Sequence, residues 1–413
     1  MVNLGELKVC RVCENPNIKE FFNLGNQPPA NSLLKSLDEK EKLYPLALSF
    51  CFNCNLVQLN YTIDPKELFS DYVWITGSSQ TAYEYAKQFY ERVIEKAGIP
   101  ENGYVLEIAS NDGVFLKPFI ENSYKVLGID PAKNIAEMAE KNGIPTKAIF
   151  WGKETAEELL KEKGPADFIF ARNVLPHVAN TRDFVEGLAL NLKDKSTLVI
   201  EAHYAQIILD ELHYDSIYHE HLCYFTFKSL EKLLNDFGLF VFDIDKSPIS
   251  GGSMVVYAKK QKVDERSIVE EYRQKEKREK TNEFSNWENF SKRSLEHKEK
   301  MLATMKDVVS KNERVIGWGA SARSSTLLNF CGIDSKMIPI IADSSPLKHK
   351  HFTAGSHILI DSHEIVMQTK PTAVIILAWN FAHEIMESLK NRFNFKGICV
   401  IPLPKEPRVE EIV

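Results

Sequence analysis

The sequence predicts an α/β protein: a Rossmann-like domain with a small cysteine-paired module before it and a second Rossmann-like unit after it. Three observations predict this. Val105-Leu-Glu-Ile-Ala-Ser-Asn-Asp-Gly113 reads as a buried strand that breaks into a tight turn of small residues, and Tyr124-Lys-Val-Leu-Gly-Ile-Asp130 follows as a second strand ending in an acid. Strand, small-residue turn, helix, strand and terminal acid make the mononucleotide-binding half of a doubly wound sheet. Cys10/Cys13 and Cys51/Cys54 form two C-x-x-C pairs, and Arg314-Val-Ile-Gly-Trp-Gly-Ala-Ser-Ala-Arg323 repeats the strand and Gly-rich turn far down the chain. At 413 residues the chain exceeds one typical core, and the expected division is 1–65, 66–260 and 261–413.

The net charge of −6 argues against a nucleic-acid partner or a membrane surface, both of which select a basic excess. No apolar run approaches the ~20 residues of a membrane span. No apolar h-region stands at the N-terminus. A cytoplasmic protein is expected.

In chain order, the first module comes first. C-x-x-C, a gap and a second C-x-x-C is the spacing of a zinc site held by four thiolates, Cys10, Cys13, Cys51 and Cys54. Four thiolates leave no open position, so the zinc is structural rather than catalytic, and so short a segment needs such a staple. Leu24 to Ser32, between the pairs, reads as a turn-rich loop. Residues 66–98 link this module to the next domain through an aromatic loop that holds Tyr72 and a helix over about 80–97.

The turn after the first strand selects the cofactor. A dinucleotide would favour G-x-G-x-x-G with its pyrophosphate at the helix N-terminus. Here one glycine, Gly113, stands with Glu107 and Asp112. These carboxylates repel a pyrophosphate and suit a ligand with a sulfonium and an ammonium, so S-adenosylmethionine (SAM) is expected over NAD. Its contacts are expected from Glu107, Ala109, Asn111 and Gly113 in the turn. Asp130 and Pro131 end the second strand, where an acid accepts from ribose hydroxyls. Phe150 and Trp151 beyond a third strand are placed to line an adenine pocket or to pack. Asn173 and His177 follow the fourth strand, Ala166 to Val174, at the mouth of the crevice. Ile217-Tyr-His-Glu-His-Leu-Cys-Tyr-Phe-Thr226 then sets four proton-handling side chains in a row. In an extended segment Tyr218 and Glu220 point one way and His219 and His221 the other. A general-base cluster fits these residues better than a metal site, because the H-E-x-x-H spacing is missing. Phe240 to Asp245 and Gly251 to Tyr257 read as a hairpin closing the sheet. Residues 261–312, mixed in charge, read as helices with one packed face. In the C-terminal unit Pro339 to Asp343 is a second strand, Thr372 to Ala378 a later one and Gly397 to Ile401 the last. The lone G-x-G there is weak evidence for a dinucleotide; it also suits a substrate phosphate, or packing alone.

The ordered set of motifs resembles the SAM-dependent sugar C-methyltransferases that act on keto sugar nucleotides, over nearly the full chain. The resemblance implies a SAM-binding Rossmann-like methyltransferase domain flanked by a zinc-binding module and a C-terminal domain that helps hold the substrate. It implies methylation at C-3 of a 4-keto-6-deoxy sugar linked to dTDP or GDP, with active-site residues at Tyr72, His177, Tyr218, Glu220 and His221. The chemistry agrees: a C–H beside a carbonyl can be removed by a histidine if the enolate is stabilised. His221 is the expected base, oriented by Glu220. Tyr218 and His177 are expected to donate to the enolate oxygen or relay the proton, and Tyr72 to close the pocket, with a swap between His177 and His221 left open. Arg323, where a lysine is common, and the basic stretch Leu347 to Phe352 leave the phosphate contacts open. The alternative is an NAD-dependent oxidoreductase acting on a sugar nucleotide. The oligomeric state is left open; a monomer is consistent with the sequence.

Overall fold

The structure, a computed structural model, describes residues 4–70, 75–78, 80–247 and 252–413. The N-terminal strands are β1 (Gly5–Glu6), β2 (Ile18–Gln27), β3 (Tyr44–Cys51), β4 (Val57–Leu59) and β5 (Tyr61–Thr62), all paired antiparallel. Each cysteine pair closes a tight turn through a left-handed residue. Glu14 has φ 56° and donates its N–H to the Cys10 carbonyl at 2.9 Å; Asn55 has φ 62° and does the same to Cys51 at 2.9 Å.

The central sheet is built from β6 (Tyr104–Ile108), β7 (Lys125–Ile129), β8 (Thr146–Lys147), β9 (Ala166–Arg172) and β10 (Leu192–His203). β11 (Cys223–Tyr224) leaves this sheet, and β12 (Phe240–Ser247) and β13 (Ser253–Lys259) return to it. The order is β12-β13-β10-β9-β6-β7-β8, with β12 and β13 antiparallel and the other five parallel. Strand order reverses between β6 and β9, which puts the crevice beyond their carboxyl ends. Val105, Leu106, Phe168, Ile169, Phe170, Val199 and Ile200 are all fully buried, as expected of strands covered on both faces.

The mixed-charge stretch folds into two helices, Ser267–Arg278 and Phe284–Lys311. Trp287, Phe290, Ser294, His297, Met301, Met305 and Val308 recur every three or four residues on the buried face of the longer one. The C-terminal sheet has β14 (Val315–Trp318), β15 (Ile340–Ala342), β16 (Leu359–Asp361), β17 (Ala373–Ile376), β18 (Gly397–Ile401) and β19 (Arg408–Ile412), in the order β16-β15-β14-β17-β18-β19. One continuous hydrophobic core runs from Cys10 and Phe22 through Leu106 and Ile200 to Trp287 and Ile316. Phe22 of β2 is the joint: its ring meets the edge of Phe290 at 5.8 Å and of Phe330 at 5.7 Å.

Three sequence expectations change. The third strand, expected near 145–150, is only the two residues of β8. Gly397 to Ile401 is not the last strand, because β19 adds an antiparallel edge to it. The N-terminal module does not close on itself, because β11 pairs with β4 and completes its sheet. Among the described residues no helix is long and apolar enough to cross a membrane.

Candidate active site

The turn after β6 is tightly wound. Ala109, Asn111 and Gly113 have φ of 59°, 51° and 79°, a region costly for the first of these. A side chain at Gly113 would put a Cβ 2.6 Å from Ile144. Asp130 pins the turn: its carboxylate accepts the N–H of Asn111 at 2.9 Å and of Ala132 at 3.0 Å, with partly buried Pro131 between. From the other side, Thr76 N–H donates to Asn111 Oδ1 at 2.8 Å and Gly77 N–H to Asp112 Oδ2 at 3.0 Å.

This turn fits SAM. Glu107 Oε2, Asp112 Oδ1 and Ser110 Oγ are buried without a protein partner. Burial pushes the Glu107 carboxyl well above its usual range, Asp112 and Asp130 push it further, and Arg172 opposes them. Burial raises Asp112 and Asp130 as well. Arg172 is committed elsewhere, to Glu201 at 2.7 Å and over the Phe115 ring at 3.3 Å. Three crowded acids short of a cation suit a sulfonium with an ammonium and oppose a pyrophosphate. Phe150 is exposed beyond β8, whereas Trp151 packs and donates its indole N–H to the Phe184 carbonyl at 3.2 Å. Asn173, at φ 50°, donates its N–H to the Glu201 carbonyl at 2.7 Å, which fixes the exit of β9 at the crevice.

The Tyr218–His221 segment is a turn, not an extended strand: His221 N–H donates to the Tyr218 carbonyl at 2.8 Å. The expected alternation of side chains is therefore lost. Tyr218 and His221 come together instead, with ring centroids 4.0 Å apart and the phenol 2.6 Å from Nε2. Nδ1 lies 2.9 Å from the Ser216 carbonyl, which can only accept, so Nδ1 carries the proton and Nε2 presents its lone pair to the Tyr218 hydroxyl. Ser216, and not Glu220 as expected from the sequence, orients His221. Glu220 Oε1 accepts from Asn31 Nδ2 at 2.6 Å, and its charge acts on Tyr218. Burial holds His221 well below the usual imidazole range, with the nearby His177 and His203 adding to it, and holds Tyr218 well above the usual phenol range. His177 packs its ring 4.8 Å from that of His221; burial pushes it down to about 4, and its Nδ1 has no protein partner. His219 is spent on the Tyr44 carbonyl at 3.2 Å. Tyr72 lies outside the described residues.

The C-terminal unit meets the segment leading into this turn through a polar knot at Asp215, and Thr326 Oγ1 donates to the Ile217 carbonyl at 2.7 Å. Arg323 holds Asp215 with two bonds of 3.0 and 2.9 Å, Trp379 donates its indole N–H to the same carboxylate at 2.7 Å, and the guanidinium sits 4.7 Å over the Trp379 ring. In the Gly-rich turn Gly319 has φ 94°, and a Cβ there would fall 2.5 Å from that of Ala378. Asp343 repeats the part of Asp130, accepting the N–H of Ala320 at 2.7 Å and of Ser345 at 2.9 Å. Lys348, buried, donates to the Ala320 carbonyl at 2.7 Å, so the basic stretch is turned inward at this residue.

The four sulfurs of Cys10, Cys13, Cys51 and Cys54 lie within 4.8 Å of one another, which fits one tetrahedral zinc. Sequence reasoning missed Asn31, Ser216 and Asp215. Asn31 lies in a stretch read only as a loop; its one signal was an amide flanked by turn residues, which many loops share.

Comparison with known proteins follows this division. Residues 10–69 match a zinc binding domain family, residues 81–243 a methyltransferase domain family, and residues 248–404 the family described as C-methyltransferase C-terminal domain. The C-methyltransferase NovU of Streptomyces niveus is 30% identical over 404 residues, 97% of this chain and 96% of that one. Magnesium protoporphyrin IX methyltransferase from Synechocystis PCC 6803 with bound SAM is 12% identical, with a TM-score of 0.33 over 43% of this chain and 78% of its own. A SAM-dependent methyltransferase from Clostridium acetobutylicum ATCC 824 is 12% identical, with a TM-score of 0.35 over 43% of this chain and 90% of its own. Likenesses that distant carry no weight here. Domain matches and turn together define a SAM-dependent methyltransferase with a four-cysteine zinc module. The near full-length identity then gives the family: the chain belongs to the C-methyltransferases, and its reaction is methyl transfer to carbon.

Proposed function

We propose that the acceptor is a 4-keto-6-deoxy sugar linked to dTDP or GDP, methylated at C-3 beside the ketone through an enolate, as a step in deoxysugar biosynthesis. The observation that supports this most is the Tyr218–His221 pair: a neutral imidazole with its lone pair on a phenol is a proton acceptor, and its neighbour His177 follows β9, the strand paired with the one that ends in the acid-lined turn. In this reading the C-3 proton passes to the Tyr218 oxygen as the phenol proton passes to His221 Nε2. The Ser216 carbonyl steadies the imidazolium that results. His177, its ring against that of His221, donates to the enolate oxygen or relays the proton. SAM held at the acid-lined turn would supply the electrophilic methyl group for C-3, its sulfur keeping the C–S electron pair and leaving as a neutral thioether. Tyr72 contacts the sugar, and the C-terminal domain helps hold the nucleotide. An NAD-dependent hydride transfer is disfavoured by the three crowded acids, which leave no place for a pyrophosphate.

The test is mass spectrometry of a panel of 4-keto-6-deoxy sugar nucleotides incubated with the protein and SAM. One added methyl group on one member is the expected result and fixes the nucleotide as well. SAM binding without methylation of any member would refute the acceptor. With the right substrate and no SAM, deuterium from solvent should enter C-3 and stop in His221→Asn; exchange surviving in that variant moves the base to His177.

A further inference from the structure

Between β2 and β3 the chain leaves the zinc module and returns, over residues 28–43, and on the way it touches both other parts of the molecule. Asn31 Nδ2 donates to Glu220 Oε1 at 2.6 Å. Leu34 and Phe352 of the C-terminal unit exchange backbone hydrogen bonds of 2.9 and 2.8 Å. Glu41 then accepts the N–H of Gly355 at 2.5 Å and meets His357 Nε2 at 2.5 Å. The loop is a strap, fastened at its far end to the C-terminal unit and reaching the catalytic turn with its near end. A second tie runs beside it: β11, which begins two residues after His221, pairs with β4, and Leu59 N–H donates to the Leu222 carbonyl at 2.9 Å.

We propose that Asn31 is a positioning residue that fixes the Glu220 carboxylate, so that the zinc module completes the active site as well as bracing the fold. The inference rests on the reading above only in taking the Tyr218–His221 turn, whose third residue is Glu220, as the reacting site; the Glu220 charge bears directly on the Tyr218 phenol. Glu220 is 2% exposed, and a carboxylate so buried needs a donor that stays a donor. An amide does this at every pH. An aspartate at the same place does so only when protonated. Among the described residues, the titratable groups shown to bear on Glu220 are Tyr218 on its own turn and His177 after β9, whose imidazole lies against the Glu220 backbone, with His219 and His221 its neighbours in the chain. None of them is on the strap, so Asn31 can be changed without removing any of them.

The experiment compares wild type with Asn31→Ala, Asn31→Asp and Glu220→Gln in the full-length, zinc-loaded protein. Asn31→Ala should lower kcat by roughly ten- to a hundred-fold, the worth of a hydrogen bond to a buried charge, with zinc content and SAM affinity unchanged. Asn31→Asp should regain activity toward acid pH, a trend that neither wild type nor Asn31→Ala shows. A readout free of turnover is the 13C carboxyl resonance missing from Glu220→Gln, which should titrate at higher pH in Asn31→Ala than in wild type. If that titration stays put, Asn31 does not hold Glu220 and the proposal falls, whatever the substrate. If it moves while kcat does not, the proposed positioning has no bearing on the reaction and falls as well. Loss of zinc or of SAM binding in Asn31→Ala would make the residue merely structural. If wild type methylates no keto sugar, the acceptor is wrong, and the carboxyl titration still decides Asn31.

Discussion

Asp130 and Asp343 show how much of this molecule is set by single side chains. Each acid ends the second strand of its unit and is taken up by the backbone of the turn it faces. Neither is a lone ribose acceptor. The acids of the first turn also give the protein a pH signature. Burial raises the carboxyls of Glu107, Asp112 and Asp130, so the folded protein favours their neutral forms. Stability without SAM should therefore fall as pH rises from the usual carboxylate range through the raised values. A bound cation offsets the charge, so the increase in Tm caused by SAM should grow with pH over that window, and thermal melts at fixed SAM concentration measure it. A SAM shift independent of pH would remove these acids from the cofactor site. Replacing His221 by Asn should cut turnover by about 10²–10⁴-fold while calorimetry still detects SAM binding. Tyr218→Phe keeps the ring but breaks the link to His221 and should cost a similar factor. The cysteine pairs were legible because each lies within four residues. Ser216 and Asn31 were not, because a carbonyl five residues away and an amide from another module leave no pattern in a linear sequence.

At the scale of elements, strand, turn and acid were legible wherever a buried strand made a continuous apolar run. The Tyr218–His221 segment was misjudged for a physical reason. Two-residue alternation holds only where a ladder keeps the backbone extended, and these residues make no ladder; they turn, and an i, i+3 pair faces itself instead. β11 was missed because two residues carry no period at all. The turn after β6 makes a direct prediction. Gly113→Ala puts a side chain at φ 79° and against Ile144, so it should destabilise the protein by about 1–3 kcal/mol and weaken SAM binding, as denaturant titration and calorimetry would show. Gly143→Ala, also at positive φ (80°) but with open space around it, is the control: it should cost less and leave SAM affinity alone.

The whole molecule behaves as one body because its parts share more than linkers. Phe22 joins the first module to the last, Arg323 and Trp379 of the C-terminal unit grip Asp215 directly, and the strap reaches both. Arg323→Lys keeps the charge but not the two-pronged grip, and should cost about 1–3 kcal/mol in the stability of the C-terminal unit, read as an earlier transition in urea. Stripping zinc with a chelator should lower methyl transfer before it abolishes SAM binding, because the proposed catalytic turn, Tyr218–His221, leads into β11 and so hangs on the module while the acid-lined turn does not; parallel loss of both would contradict this. The sharing of β11 also sets an order of events during synthesis. The first module emerges first but must wait for the chain to be made as far as Tyr224 before its sheet is whole. Until then the edge of β4 stands open, and an open edge invites the wrong partner. Early zinc capture by the two cysteine pairs would give the nascent chain a shape to keep while it waits, and a chain released before Cys223 is made should be prone to self-association.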